Sequence, residues 1–347
     1  MKSRMLPHFP KVAPIVAVIL LVLPTVAGPA KHPAAAANAV AASVPVRLWN
    51  NPTDIASRDL FFGPGGKDHA PQTSFEFVKE DAQGTNPKFD LRDKDGVKWK
   101  AKLGVEARPE VVASRLVWAV GYYASEDYFL PEIQVKDMPR LKRGQEFVSP
   151  DGVAHNVRLK RESPDAKKAG TWKWSDNPFA NQRELNGLRV MMALMNNWDL
   201  KDTNNAVFED KESGDDSRES RYLVSDLGAS FGTTGISWTH ERSKGNLKSY
   251  RNSKFITKAT SEHVDFSVPS APPLLFVLTP KDYFSRVKLR WIGKGIPRSD
   301  AKWIGSLLAQ LSPEQIRSAF RAADYSPAEV EEFSEVVEKR IAELNRL

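Results

Sequence analysis

The chain has no cysteine. Disulfides, thiolate metal sites and cysteine nucleophiles are therefore excluded, and stability must come from packing. Histidine is scarce, and the six, at positions 8, 32, 69, 155, 240 and 263, form no ligand spacing, so no histidine-based metal site is expected. The longest apolar run, Ala13–Ala27, is interrupted by two prolines and falls short of the ~20 residues a membrane-spanning helix needs. There is no internal repeat. Net charge is only +7, and Lys2, Arg4, Lys11 and Lys31 precede residue 40, where no acid opposes them. The pI of 9.3 is thus poor ground for a nucleic-acid partner, and none is expected.

What is present is a chain of 347 residues, long enough for one large domain or two lobes, with an ordinary hydrophobic share of 41% and charged share of 27%. Residues 1–39 carry the marks of a signal peptide: a basic start, a short apolar run, and Ala37-Asn38-Ala39 as a cleavage motif. The expected location is therefore secreted or periplasmic, with membrane anchoring by an uncleaved signal as the alternative. The expected layout continues with a linker over 40–60, a first lobe over 61–140, and a second lobe over 141–347 ending in helices.

Phe61-Phe62-Gly63-Pro64-Gly65-Gly66-Lys67 reads either as a glycine loop over phosphates or as a surface turn. Residues 87–104 read as a hairpin turning at Asp93-Lys94-Asp95-Gly96. In its second strand Val97, Trp99, Ala101 and Leu103 share one face, and Lys98, Lys100 and Lys102 the other. Such a strand is half-buried with a solvated lysine face, or it sends one lysine into a cleft to clamp phosphate. Parity does not choose among the three; Lys102, beside Gly104, is favoured over Lys100. A helix then opens at Arg108-Pro109-Glu110 and ends at Gly121, with Glu110 placed either to complement the helix dipole or to hold the lysine. A strand over Tyr128–Val135 follows, then a hairpin near Phe147–Val153, and a basic run over 158–168 that reads as a solvated loop.

Leu185, Leu188, Met191, Met192 and Met195 recur at helical spacing, so 181–197 is a core helix that delivers the chain into Asn196-Asn197-Trp198-Asp199. Asp199 has Asn204 five residues on, and Asp226 ends the short apolar run Tyr222–Val224 and precedes Leu227-Gly228. This is spacing that phosphoryl transfer can use: one carboxylate to orient an attacking hydroxyl, an amide and a second carboxylate to hold metal against phosphates. Asp202, with Asn205 beyond it, competes with Asp199 for the first role. Residues 229–265 suggest a segment beside the site. Two capping boxes, Ser312-Pro-Glu-Gln315 and Ser326-Pro-Ala-Glu329, begin the last helices.

Lysine, glutamate, Asp-x4-Asn and Asp-x-Gly in this order resemble the protein-kinase-like superfamily in its atypical branch: HipA-type, phosphatidylinositol-kinase-like and secretory-pathway kinases. Asn197-Trp198-Asp199…Asn204 looks like the catalytic loop of those branches, and Ser225-Asp226-Leu227-Gly228 like the metal-binding triplet. The resemblance implies an α+β, two-lobed fold with a small, mainly β lobe and a larger, mainly helical one. It implies ATP and Mg2+ as cofactors and a hydroxyl of a protein, sugar or other acceptor as substrate. It implies that Asp199 orients the acceptor, Lys102 (or Lys100) contacts phosphates, Glu110 holds the lysine, and Asn204 and Asp226 bind the metal. A catalytically inactive pseudokinase or binding module of the cell envelope is the alternative. The sequence departs from the pattern in lacking a standard glycine loop and in the long interval from Asp199 to Asp226, which the acidic stretch Glu209–Arg221 accounts for.

Overall fold

The structure, a computed structural model, describes residues 45–84, 86–210, 219–233, 244–268, 277 and 280–347. The signal-peptide reading of 1–39, the middle of the acidic stretch, Trp238, His240 and most of the apolar stretch 273–279 lie outside the described residues. No helix among the described residues is long and apolar enough to cross a membrane.

The first half is a closed five-stranded barrel. Its strands are β2 (Ser74–Asp81), β3 (Lys88–Arg92), β4 (Lys98–Leu103), β5 (Asp127–Lys136) and β6 (Val153–Arg161), in the order β2-β3-β4-β6-β5. All neighbours are antiparallel except β2 and β5, which pair in parallel and close the ring. The alternation expected for 97–103 is realised: Trp99, Ala101 and Leu103 are buried in the barrel with Phe89, Leu91, Val157 and Leu159. Asp93 fixes the hairpin turn, accepting from the backbone of Asp95 and Val97 and from Trp99 Nε1 at 2.8 Å. The barrel includes β6 and so runs on to Arg161, past residue 140.

Helix α1 (Ala107–Ala119) crosses from the barrel to the second half and is buried on nearly every face. It begins at Ala107, just before the expected Arg108-Pro109-Glu110, and Gly121, at φ +97°, ends the turn where an added Cβ would lie 2.3 Å from Asn50 O. Residues 45–60, expected as linker, are instead packed: Leu48, Ile55 and Leu60 are buried in the main core, and Gln315 Nε2 donates to Ile55 O and Arg58 O. Composition near a Pro/Ala-rich segment hides three apolar anchors.

The second half joins a sheet to a helical layer. The sheet is ordered β1-β9-β8-β7, with β1 (Val46–Arg47), β7 (Ala166–Gly170), β8 (Asn205–Asp210) and β9 (Ser220–Val224). Helix α2 (Arg183–Leu194) carries Met191, Met192 and, just past its end, Met195, all fully buried; each such side chain contributes on the order of 1.5–3 kcal/mol. Residues 244–268 supply α3 (Leu247–Asn252), β10 (Ile256–Ala259) and β11 (His263–Phe266). Then come α4 (Pro280–Val287), β12 (Ile296–Pro297), α5 (Arg298–Leu308), α6 (Pro313–Arg321) and α7 (Pro327–Asn345). Both predicted capping boxes are formed, at Ser312 and Ser326. Phe231, Tyr250, Phe320 and Phe333 make an aromatic core, with Phe320 stacked on Phe333.

This core aims the loop that follows α2. Buried Arg340 of α7 donates to the carbonyls of Ala193 (3.2 Å) and Leu194 (2.8 Å), which lack the i+4 amide partner of a helix interior and also accept from Asn196 N and Tyr250 OH. Asn196 then turns the chain through φ +58°, a conformation asparagine tolerates, and its Nδ2 donates to Gly232 O and Ser253 Oγ.

Candidate active site

Lys102 lies at the end of β4, on the outer face of the barrel, where α1 and the chain after β9 converge. Its Nζ donates to Asp226 Oδ1 at 3.0 Å and Glu106 Oε2 at 3.0 Å, and lies 2.7 Å from Glu110 Oε2. Of the three lysines that share this face, the other two are elsewhere engaged or exposed. Lys98 is exposed, and Lys100 donates to Asp90 (2.6 Å) and Asp81 (3.1 Å), so the assignment of Lys100 to the phosphate site is corrected. Two strand residues separate the roles, because only Lys102 reaches the helix.

Glu110 is held from both sides. One oxygen faces Lys102, and the other accepts from Arg158 Nη2 at 3.2 Å. Arg158 is itself buried, lies 3.7 Å from Asp127 and donates to Lys100 O. The basic run 158–168 is therefore not a solvated loop: its first residues end β6, and Lys160 Nζ donates to Ser225 O at 2.8 Å. A run of cations in sequence says nothing about the buried carboxylates that α1 and β5 bring to meet it.

Asp226 sits where β9 ends. Gly228 N donates to its Oδ1, and an added Cβ at Gly228 would lie 2.7 Å from Glu106 Cβ, so the glycine of Asp-x-Gly is required by close packing. Burial acts to raise the Asp226 carboxyl, but Lys102, Lys160 and Arg158 outweigh it and hold the group well below the usual carboxylate range. Burial acts to lower Lys102, but Asp226, Glu110 and Glu106 hold its ammonium well above the usual lysine value. Glu106 is similarly depressed against its burial by Lys102 and Lys244.

The loop 197–204 is tied to Asp226 through the backbone. Ser225 N (2.8 Å) and Asp226 N (3.2 Å) donate to Asn204 O, and Asn204 Nδ2 donates to Asp199 O at 2.6 Å. The Asp199 carboxylate is partly exposed and pairs with Lys201 at 3.0 Å. Asp202, the competitor, is committed elsewhere: its Oδ1 accepts from Trp174 N at 3.1 Å. The glycine stretch 61–67 is not a loop over phosphates, since Arg115 holds the carbonyls of Phe61 and Phe62, and Tyr128 OH donates to Gly66 O.

Glu106, Arg158, Lys160, Lys201 and Lys244 are the site residues that sequence reasoning missed. Glu106 is four residues beyond Lys102, and Lys201 two beyond Asp199, so spacing alone could have raised these two; Lys244, whose ammonium contacts Glu106, comes from a distant segment with no such signal. The β2–β3 connection is also at the site, with Asn86 Nδ2 donating to Glu106 Oε2 at 2.5 Å.

Carboxylate oxygens of Glu106, Glu110 and Asp226 lie within 4.8 Å of one another, but Lys102 already lies within 3.0 Å of all three residues, so this trio neutralises a lysine. The donor chemistry suited to a divalent ion is that of the Asp226 carboxylate and the Asn204 amide oxygen. Both are hard oxygen donors, they are joined through the backbone, and among the described residues Asp226 Oδ2 and Asn204 Oδ1 accept no hydrogen bond.

No protein-family model matches the chain, and no curated protein matches it in sequence. Among solved structures, it is similar to a Helicobacter pylori proinflammatory kinase, CtkA, at 11% identity and a TM-score of 0.43, over 80% of this chain and 98% of that one. It is similar to Golgi casein kinase with Mn/ADP bound at 12% identity and a TM-score of 0.30, over 78% of this chain and 74% of that one. A second Golgi casein kinase structure gives 11% identity and 0.30, over 82% and 77%. At these identities and TM-scores the likeness carries no argument about this chain.

Proposed function

We propose that this chain is a kinase-like phosphotransferase that moves the terminal phosphoryl group of a nucleoside triphosphate such as ATP to an acceptor hydroxyl. The observation that carries the reading is the convergence of Lys102, Glu110 and Asp226, from a strand, a helix and a loop, with Asn204 joined to Asp226. In this reading Lys102 binds phosphate oxygens, and Glu110, oriented by Arg158, is a positioning residue for Lys102. Asp226 and Asn204 would hold Mg2+, which when bound neutralises charge on the phosphates. Asp199 accepts the acceptor's hydroxyl proton as the new P–O bond forms; the bond from the terminal phosphorus to its bridging oxygen breaks, and the diphosphate leaves. Lys201, 3.0 Å from Asp199 Oδ1, orients that carboxylate.

The test is magnesium-dependent ATP turnover by the full chain beside Asp226→Ala. Turnover or autophosphorylation by the wild type, reduced at least ~100-fold in a folded mutant, supports the reading. Binding of magnesium-ATP without turnover supports the inactive binding module instead. We further propose export, on the pattern of residues 1–39; recovery outside the cytoplasm of a chain lacking those residues tests it.

A further inference from the structure

Glu106 is held as an anion is held in a binding site. Its Oε2 accepts from Lys102 Nζ at 3.0 Å and from Asn86 Nδ2 at 2.5 Å, and its Oε1 accepts from Lys244 Nζ. The three donors come from β4, from the β2–β3 connection and from the chain beyond Asp226. Two ammonium groups and an amide converging on carboxylate oxygens suit a phosphate group equally well, since it too presents only acceptor oxygens and carries more charge. Lys244 is fixed in place by backbone: Gly245 N donates to Ser230 O at 2.9 Å and Asn246 N to Phe231 O at 2.7 Å, which ties this segment to the chain just after Asp226-Leu227-Gly228. The Lys244 side chain is 10% exposed, and its ammonium lies 5.6 Å from the ring centre of Trp198, the residue before Asp199. Lys244 thus links the Lys102 cluster to the loop that carries Asp199.

An ammonium has three protons to donate, and Glu106, Glu110 and Asp226 all lie within 3.0 Å of Lys102 Nζ. A phosphate oxygen that reaches Lys102 must therefore replace one of them. Glu110 is 1% exposed and its other oxygen is held by Arg158. Asp226 is held by Gly228 N and is the carboxylate suited to the metal. Glu106 is the one whose departure frees Lys102, Lys244 and Asn86 together, and it needs the rotation of a single side chain. It also changes the charge. Lys102, Arg158, Lys160 and Lys244 balance Glu106, Glu110, Asp127 and Asp226, so that withdrawal of Glu106 leaves the cations in excess by one before any metal enters.

From this we infer that Lys244 and Asn86 bind the phosphate oxygens of the nucleoside triphosphate together with Lys102, and that Glu106 is an internal anion that holds their position until the triphosphate displaces it. The inference rests on the phosphotransferase reading and adds two residues and a competitor to its donor site. It fixes the sign of one effect. Removing the charge of a competing carboxylate tightens donor binding, whereas removing a metal ligand or a purely structural carboxylate does not.

Calorimetric titration with magnesium-ATP of the full chain, of Glu106→Gln, of Lys244→Met and of the double variant tests it, with melting temperatures measured alongside to establish that each is folded. Glu106→Gln is expected to bind at least ~10-fold more tightly than wild type, because two ammonium groups lose a charged competitor. Lys244→Met leaves Glu106 with one partner fewer, so the role of Lys244 is read where that charge is also gone: the double variant is expected to bind at least ~10-fold more weakly than Glu106→Gln. Lys244→Met alone is expected to bind more weakly than wild type, and unchanged binding by that folded variant counts against Lys244. Weaker or unchanged binding by Glu106→Gln overturns the displacement, and equal binding by Glu106→Gln and the double variant overturns the assignment of Lys244; in both cases binding by wild type leaves phosphoryl transfer standing. Binding by neither wild type nor Glu106→Gln overturns the phosphotransferase reading and this inference with it.

Discussion

Lys102 and Asp226 are 124 residues apart in sequence and 3.0 Å apart in space. The contact joins the barrel to the β8–β9 hairpin, and Glu110 completes it from the helix between them. An ammonium that is 3% exposed is tolerable only because three carboxylates surround it.

Removing that ammonium leaves Glu106, Glu110 and Asp226 facing one another. Lys102→Met is expected to destabilise the fold by about 3–5 kcal/mol, as breaking a buried pair does, and to abolish turnover. Adding Glu110→Gln is expected to cost less than the sum of the two single changes, since they share one network. Denaturant titration of the four proteins in the cycle checks both points; strict additivity would falsify the coupling.

Arg158 bridges Glu110 and Asp127 on the outer face of the barrel, beneath α1. Arg158→Met is expected to cost about 3 kcal/mol and to lower turnover at least ~10-fold. Arg158→Lys is expected to recover stability only in part, because Glu110 is met by Nη2 while Asp127 and Lys100 O are met by Nη1, and a single ammonium does not span the positions of both guanidinium nitrogens. Melting temperatures and initial rates of the two variants separate these outcomes.

Gly228→Ala brings a methyl group to 2.7 Å from Glu106 Cβ and 2.9 Å from Glu106 Oε2. The side chain beside it carries two ion pairs and has little freedom to yield. A cost of about 1–3 kcal/mol is expected, with a fall in turnover because Asp226 is displaced. Thermal unfolding and a rate measurement on one preparation suffice.

Asp199 and Asp202 make opposite predictions. Asp202→Ala removes the acceptor for Trp174 N and should cost about 1–2 kcal/mol while leaving turnover within about threefold. Asp199→Ala should leave stability nearly unchanged and reduce turnover at least ~100-fold. Equal rates in the two variants would return the proton-accepting role to open choice.

The depressed carboxyl of Asp226 sets a pH dependence. Its folded pKa lies below the ordinary value of 3.8, so its contribution to stability is complete above that value and is lost as pH falls through the folded pKa. Wild type should therefore exceed Asp226→Asn in stability by a constant margin from pH 7 down to about 5. Below pH 3.8 the margin should narrow. Denaturant midpoints of both proteins at several pH values trace the curve.

Much of the scaffold was legible in the order of residues. Strict alternation from Val97 to Leu103 specified a half-buried strand, the methionine-rich periodicity of 185–195 a core helix, and Ser312 and Ser326 with their prolines the starts of α6 and α7. These are local properties: side-chain parity, helical period and cap chemistry act over a few residues. The membership of Lys102, Glu110 and Asp226 in one cluster was also anticipated. What only the tertiary structure decided was environment. Lys100 and Lys102 have the same parity, yet one meets Asp81 and Asp90 on neighbouring strands and the other meets α1. Arg158 and Lys160 read as solvated cations until α1 and β5 cover them with Glu110 and Asp127, and residues 45–60 read as linker until Leu48, Ile55 and Leu60 find the core. The energy of a charge or an apolar side chain depends on what lies over it, and here that is supplied by elements far away along the chain.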